Sequence, residues 1–288
     1  MQLVHRRVEV PWREVAGTDA ETVAAEERAR RFDLSRPPLM RFVLVRSGTQ
    51  RYRLVFTNHH ILLDGWSTPL LAAELFALYS GREPAPAPPY RNHLAWLARQ
   101  DRAAAREAWC RALDGVAGPT LVAPDLATRT PVNPGCVRAH LDEDLTGRLT
   151  SVLRARSLTL NTAVQGVWAL LLAQLTGRDD VVFGGTVSGR PPELPGAERM
   201  IGLFINTLPV RVRLHPAETL AGLLERLQAE QSELFAHHHL GLSDIQRACG
   251  LGRLFDTMTV LENYPLDTAT LNDRSAEAGV ERGQREKK

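Results

Sequence analysis

Asn58-His59-His60-Ile61-Leu62-Leu63-Asp64-Gly65-Trp66-Ser67 lies where a strand hands over to a helix. Upstream, Arg51 to Asn58 alternates: Tyr52, Leu54 and Phe56 face one way and Arg51, Arg53 and Thr57 the other, the period of two that marks a strand. Downstream, Thr68 supplies a capping side chain, Pro69 suits a first helical turn, Leu71, Leu75 and Leu78 form a stripe, and Gly81 stops it. An imidazole titrates near neutral pH, at about 6.5 for the free side chain, so it can take a proton and return it. It can also hold an amine by a hydrogen bond, which is positioning rather than proton transfer. Asp64 can orient an imidazole or anchor the loop through an arginine, and Gly65 leaves the backbone open to a passing substrate arm. By itself, His-x-x-x-Asp also describes an ordinary strand end followed by an ordinary turn. A metal site is disfavoured, because no third imidazole or thiolate accompanies the pair and adjacent strand residues point to opposite faces.

Outward from this stretch, the pattern predicts strands at Gln2 to Val10 and Leu39 to Arg46, with a charged helix from Ala20 to Arg31 between them. Ser47 to Gln50 turns the second strand back into Tyr52 to Thr57 as a hairpin. One helix is expected from Arg91 to Leu113. A stretch from Asp114 to Gly135, holding prolines and glycines and little periodicity, then marks a boundary between subdomains. The second half predicts a strand at Cys136 to Leu141 and a helix from Asn161 to Leu175 that buries Val164, Val167, Trp168, Leu171, Leu172 and Leu175. Strands at Val181 to Val187 and Phe204 to Arg213 follow, Pro209 suggesting an edge or a bulge in the latter. A helix from Glu218 to Phe235 and a strand from Leu254 to Leu261 complete the order. Strands and helices mix in each half, which is an α/β pattern in two lobes.

Composition narrows the function classes. The 288 residues are 44% hydrophobic and 24% charged, a globular balance, and Lys+Arg 35 against Asp+Glu 33 leaves +2 with no basic stripe. Nucleic acid and membrane are therefore not implied as partners. Cys110, Cys136 and Cys249, odd in number and far apart, suggest reduced thiols in a cytoplasm rather than a disulfide framework. The polar stretch from Asp267, without aromatic residues in its last sixteen, reads as a disordered tail.

The quoted stretch closely resembles the His-His-x-x-x-Asp-Gly core of condensation domains in nonribosomal peptide synthetases. Four further blocks resemble that family in its order. They are Tyr90-Arg91-Asn92-His93-Leu94-Ala95-Trp96-Leu97, with Asn92 where an aspartate is usual, then Ile201-Gly202-Leu203-Phe204-Ile205-Asn206-Thr207-Leu208-Pro209-Val210-Arg211, then His237 to Arg247, and finally Leu254 through Pro265. On these motifs the chain is identified as a member of the family.

That resemblance implies two chloramphenicol-acetyltransferase-like subdomains in a V-shaped pseudo-dimer, with the His-His motif at the floor of a tunnel between them. It divides the chain at 1–118, 119–266 and a tail at 267–288. Two family motifs expected upstream and segments expected downstream are not in this sequence, so the N-terminal subdomain is expected to be incomplete. The resemblance implies His60 as the catalytic residue, His59 packed behind it, and Gly65, Trp66 and Ser67 completing the loop. It implies a mainly architectural Asp64 paired with Arg190, and Asn206 beside the tunnel. The implied reaction joins two thioesters carried on the phosphopantetheine of upstream and downstream peptidyl carrier proteins, beside adenylation domains, with no metal or cofactor of the domain's own. An epimerisation-type sibling and a non-catalytic remnant that docks carriers are the alternatives. The histidine run His237 to His239 fits the sixth motif, with a structural or surface role rather than a metal tract.

Overall fold

The computed structural model describes residues 5–125 and 135–262. These fall into two compact units. The first takes the chain up to Tyr90 together with Arg199–Phe204, and the second takes Arg91–Glu198 and Ile205 onward. The tail expected from residue 267, and Asn263 to Pro265 of the last motif, lie outside the described residues.

The first unit runs β1 (Trp12–Ala16), α1 (Ala20–Ala29), β2 (Met40–Arg46), β3 (Tyr52–Asn58) and α2 (Ser67–Tyr79). Its sheet has the order β1-β2-β3, parallel then antiparallel, with Arg41 opposite Thr57 in the hairpin register. Asp19 starts α1 by accepting from the backbone of Glu21 and Thr22. The helix then lays Ala20 and Val23 on Val43 and Val45 of β2, which alternate inward as a half-covered strand must. The first strand is displaced from its expected place: β1 begins at Trp12, beyond the predicted Gln2 to Val10 segment.

The second unit runs α3 (Arg91–Ala98), α4 (Arg102–Ala112), α5 (Glu143–Ala155), α6 (Leu160–Thr176), β4 (Asp180–Val187), β5 (Asn206–Arg213), α7 (Leu220–Glu233), α8 (Leu242–Ala248) and β6 (Met258–Thr259). Its sheet order is β5-β4-β6, so Pro209 does lie on an edge strand. The two faces of β4 carry separate cores. Val182 joins Ala105, Trp109, Leu113, Leu208, Leu240, Ile245 and Leu254, whereas Val181 and Phe183 join Ala169, Leu172, Val210, Leu223 and Leu227.

Several expectations are corrected. The single helix from Arg91 to Leu113 is two helices, because Asp101 breaks it and caps the second by accepting from Ala103 and Ala104. No strand forms over Cys136 to Leu141, where the chain is exposed; α5 and α8 were not anticipated, and the last strand shrinks to two residues. Cys110 and Cys249 are not free thiols but a disulfide, with Cα atoms 5.1 Å apart, that ties α4 to the end of α8; Cys136 is free and exposed. The first compact unit takes the chain up to Tyr90, and the second begins at Arg91. In the second unit the Trp109 ring fills the core and its Nε1 donates to His237 O at 3.1 Å.

Candidate functional site

The ten-residue stretch forms the loop between β3 and α2. His59 is clamped through both backbone and ring. Its N–H donates to Leu39 O at 2.9 Å, its carbonyl accepts from Leu62 N at 3.1 Å, and its Nδ1 accepts from Ile61 N at 3.1 Å. A backbone N–H donor on Nδ1 leaves the neutral ring's proton on Nε2. The His59 ring hydrogen bond therefore closes over His60, whose own side chain is exposed.

Asp64 is 1% exposed and works on the backbone. Its Oδ1 accepts from Ser67 N at 2.8 Å, so Asp64, not Thr68, satisfies the start of α2; Trp66 at the cap position makes no side-chain cap bond. Its Oδ2 accepts from Phe204 N at 3.1 Å, and its own N–H donates to Gly202 O at 3.1 Å. Ser67 doubles the tie: its Oγ donates to Gly202 O at 2.7 Å and accepts from Gly202 N at 3.0 Å. Tyr90 closes the far side, its hydroxyl donating to Leu203 O at 2.5 Å and its ring meeting Phe204 edge-on at 5.1 Å. A Cβ on Gly202 would lie 2.4 Å from the Tyr90 ring, which is why a glycine stands there. Gly65, Trp66 and Ser67 thus frame a loop end welded to Ile201–Phe204.

Arg190 and Asn206 belong to the second unit. The Arg190 Nη1 donates to Ala197 O, and the Asn206 amide donates to His238 O at 2.9 Å and Leu240 O at 2.8 Å. Asn206 therefore anchors the histidine run by its backbone. Burial, reinforced by the charges of His237 and His239, pushes the His238 imidazole down to about 4. Burial also lowers His93, with Arg190 adding to the effect, and lowers His239. Among the described residues no group of three or more His, Cys, Asp or Glu is placed to hold a metal ion. No single described helix is long and apolar enough to cross a membrane.

The sequence pattern missed the partners of the motif rather than the motif. Gly202 and Leu203 take part through backbone groups and Tyr90 through its hydroxyl, and only their places inside quoted motif blocks hinted at them.

The family model described as "Condensation domain" matches residues 1–286. The chain is similar to one of the subunits of linear gramicidin synthase from Brevibacillus parabrevis, 40% identical over 284 residues, covering 91% of this chain and 6% of that protein. It is 35% identical over 263 residues to surfactin synthase subunit 3 of Bacillus subtilis (strain 168), covering 89% of this chain and 20% of that one. Among solved structures, the first condensation domain of the calcium-dependent antibiotic synthetase, in complex with substrate analogue 2a, superposes with a TM-score of 0.65 at 25% identity, over 90% of this chain and 63% of that chain. The X-domain from teicoplanin biosynthesis superposes with a TM-score of 0.71 at 26% identity, over 89% and 62%. The chain thus spans a small part of the synthetases it matches and less than two thirds of these solved chains.

Proposed function

This chain belongs to the condensation-domain family, and from that premise we propose that it forms the amide bond between a donor aminoacyl or peptidyl thioester and an acceptor aminoacyl thioester. Both substrates arrive on the phosphopantetheine arms of carrier proteins, within an assembly that also holds adenylation domains. The observation that carries the reading is the exposed His60 side chain on a turn immobilised at both flanks, by His59 on one side and by Asp64 and Ser67 on the other.

The acceptor amine attacks the donor carbonyl; the C–N bond forms as the C–S bond breaks, and the donor arm leaves as its thiol. The His60 imidazole holds the amine lone pair toward the carbonyl and takes the proton that the amine must shed, returning it to the departing sulfur. Bringing two tethered reactants together supplies most of the acceleration. Asp64 acts through the loop, since both its oxygens are engaged by backbone N–H groups.

The test is a condensation assay with loaded donor and acceptor carriers, read by intact mass. His60→Ala should lower the rate by about 100-fold or more, the usual contribution of a positioned acid–base group, and leave folding intact because the side chain is exposed. A near wild-type rate in the variant removes His60 from catalysis. Carrier binding without product in the wild type favours a docking module, and exchange of the donor's α-hydrogen without amide formation favours the epimerisation-type alternative.

A further inference from the structure

Arg41 stands at a position that the alternation of β2 assigns to the core. Its neighbours on that face, Val43 and Val45, are buried apolar residues, and Arg41 itself is 7% exposed. A guanidinium taken out of water there needs a partner for its charge and for its N–H groups. It finds both at the end of α1. Nε donates to Glu27 Oε2 at 2.6 Å, and Nη2 donates to Glu27 O at 3.0 Å and to Arg30 O at 2.9 Å. Glu27, 4% exposed, lies on the same helix face as Ala20 and Val23. A buried pair of this kind is weak evidence of stabilisation, since apolar residues of similar volume would serve as well or better.

The geometry gives the guanidinium a second task. Its Cζ lies 3.9 Å from the centroid of the Phe32 ring, a stacked cation–π contact. Phe32 in turn meets the His59 ring at a 6.2 Å centroid distance and an 86° interplanar angle. His59 carries the hydrogen bond that closes over His60. Glu27, Arg41, Phe32 and His59 therefore form one contiguous line of contacts from α1 to the turn that bears the proposed catalytic imidazole.

We propose that Arg41 is a positioning residue for the His60 turn, acting through Phe32 on the His59 ring. This rests on the condensation reading for its effect on rate, but not for its effect on His59. Arginine is specified over lysine because only a planar fork can bond Glu27 Oε2, Glu27 O and Arg30 O while its Cζ stays over the Phe32 ring. Phe32 is specified because an aromatic ring takes the cation over its face and meets the His59 ring in a perpendicular contact.

The experiment uses the full 288-residue chain. Histidine ¹⁵N spectra read the tautomer of His59, and the carrier assay reads kcat and KM separately. Wild type should show His59 protonated at Nε2. Phe32→Leu, which leaves the ion pair in place, should let His59 populate both tautomers and lower kcat by about tenfold with KM for the acceptor carrier unchanged. Arg41→Lys should reproduce that pattern rather than rescue it. Where Arg41 variants fail to fold, Phe32→Leu alone decides. A wild-type tautomer in Phe32→Leu overturns the proposal, whatever happens to the rate. An altered tautomer with an unchanged kcat overturns it as well. If wild type forms no amide, the condensation reading fails, and the tautomer measurement still judges the contact line.

Discussion

Asp64 is expected from the sequence to be mainly architectural, and in the fold it lies buried among backbone donors. A buried carboxylate is costly unless its charge is matched by donors, and here two backbone N–H groups point at it, one from the start of α2 and one from Phe204. Asp64→Ala orphans both donors in a buried place. At about 1.5–3 kcal/mol for each hydrogen bond to a charged group, the loss should be about 3 kcal/mol or more, read as a fall in the urea midpoint. Asp64→Asn is the sharper variant. One oxygen survives, but the amide NH₂ replaces the other and confronts an N–H donor, so Asn should recover less than half of the loss. Full recovery by Asn would show that the charge and the second acceptor are both dispensable.

At the scale of elements, Gly202 shows why a loop segment can be as specified as a core. The Tyr90 ring lies against its α-carbon and is held there by the bond to Leu203 O, so it has no free direction in which to yield. Gly202→Ala should cost about 2 kcal/mol, as overpacking does. Adding Tyr90→Leu to that variant should cost less than the sum of the two single changes in a double-mutant cycle. Strict additivity would mean that the ring moves aside freely.

Much at this scale was legible in the sequence: the β2–β3 hairpin, α1, α6, β4, β5 and α7 all stand close to where periodicity put them. What failed, failed for physical reasons. α6 carries apolar residues on more than one side, and its most hydrophobic stripe is not the side the structure covers. The structure buries the side with Ala163, Gly166, Ala169 and Leu172, because Gly166 lets Leu224 come so close that a Cβ would lie 2.3 Å from it. Val164, Val167, Leu171 and Leu175, expected inside, are 41–60% exposed. The β-prone run Cys136 to Leu141 found no partner strand, and the Cys110–Cys249 disulfide joins residues 139 apart, a pairing that no local pattern encodes. The His-His motif was legible as a candidate site. Its supports were not, because Phe204, Gly202 and Leu203 contribute backbone groups that any residue type possesses.

For the whole molecule, the histidines of the second unit set a pH dependence. His93, His238 and His239 are all held below the ordinary imidazole value, chiefly by burial, and His238 reaches about 4. The unfolded chain titrates these groups near 6.5. Between about 6.5 and 4 the unfolded state binds protons that the folded state refuses, so stability is fully present above about 6.5 and drains away as pH falls toward 4. Two carboxylates add to the loss only at the acid end of the window. The Asp33 and Glu218 carboxyls are held below their usual range, by hydrogen bonds from Ser35 and Arg226 respectively, so their contribution to stability declines only as pH falls through the ordinary carboxylate range, about 4. His238 is the largest contributor, worth up to about 3 kcal/mol across the window at 1.36 kcal/mol for each pH unit. Its carbonyl, not its ring, binds Asn206, and its ring packs on Phe235 at 5.3 Å, so His238→Phe keeps the anchor and an aromatic contact while removing the proton site. Tryptophan fluorescence during urea unfolding reads the second unit through Trp109. Wild type should lose stability steadily from pH 7 to pH 4.5, and His238→Phe should lose distinctly less over the same range. Parallel slopes for the two proteins would show that His238 is protonated in the folded chain as readily as in the unfolded one.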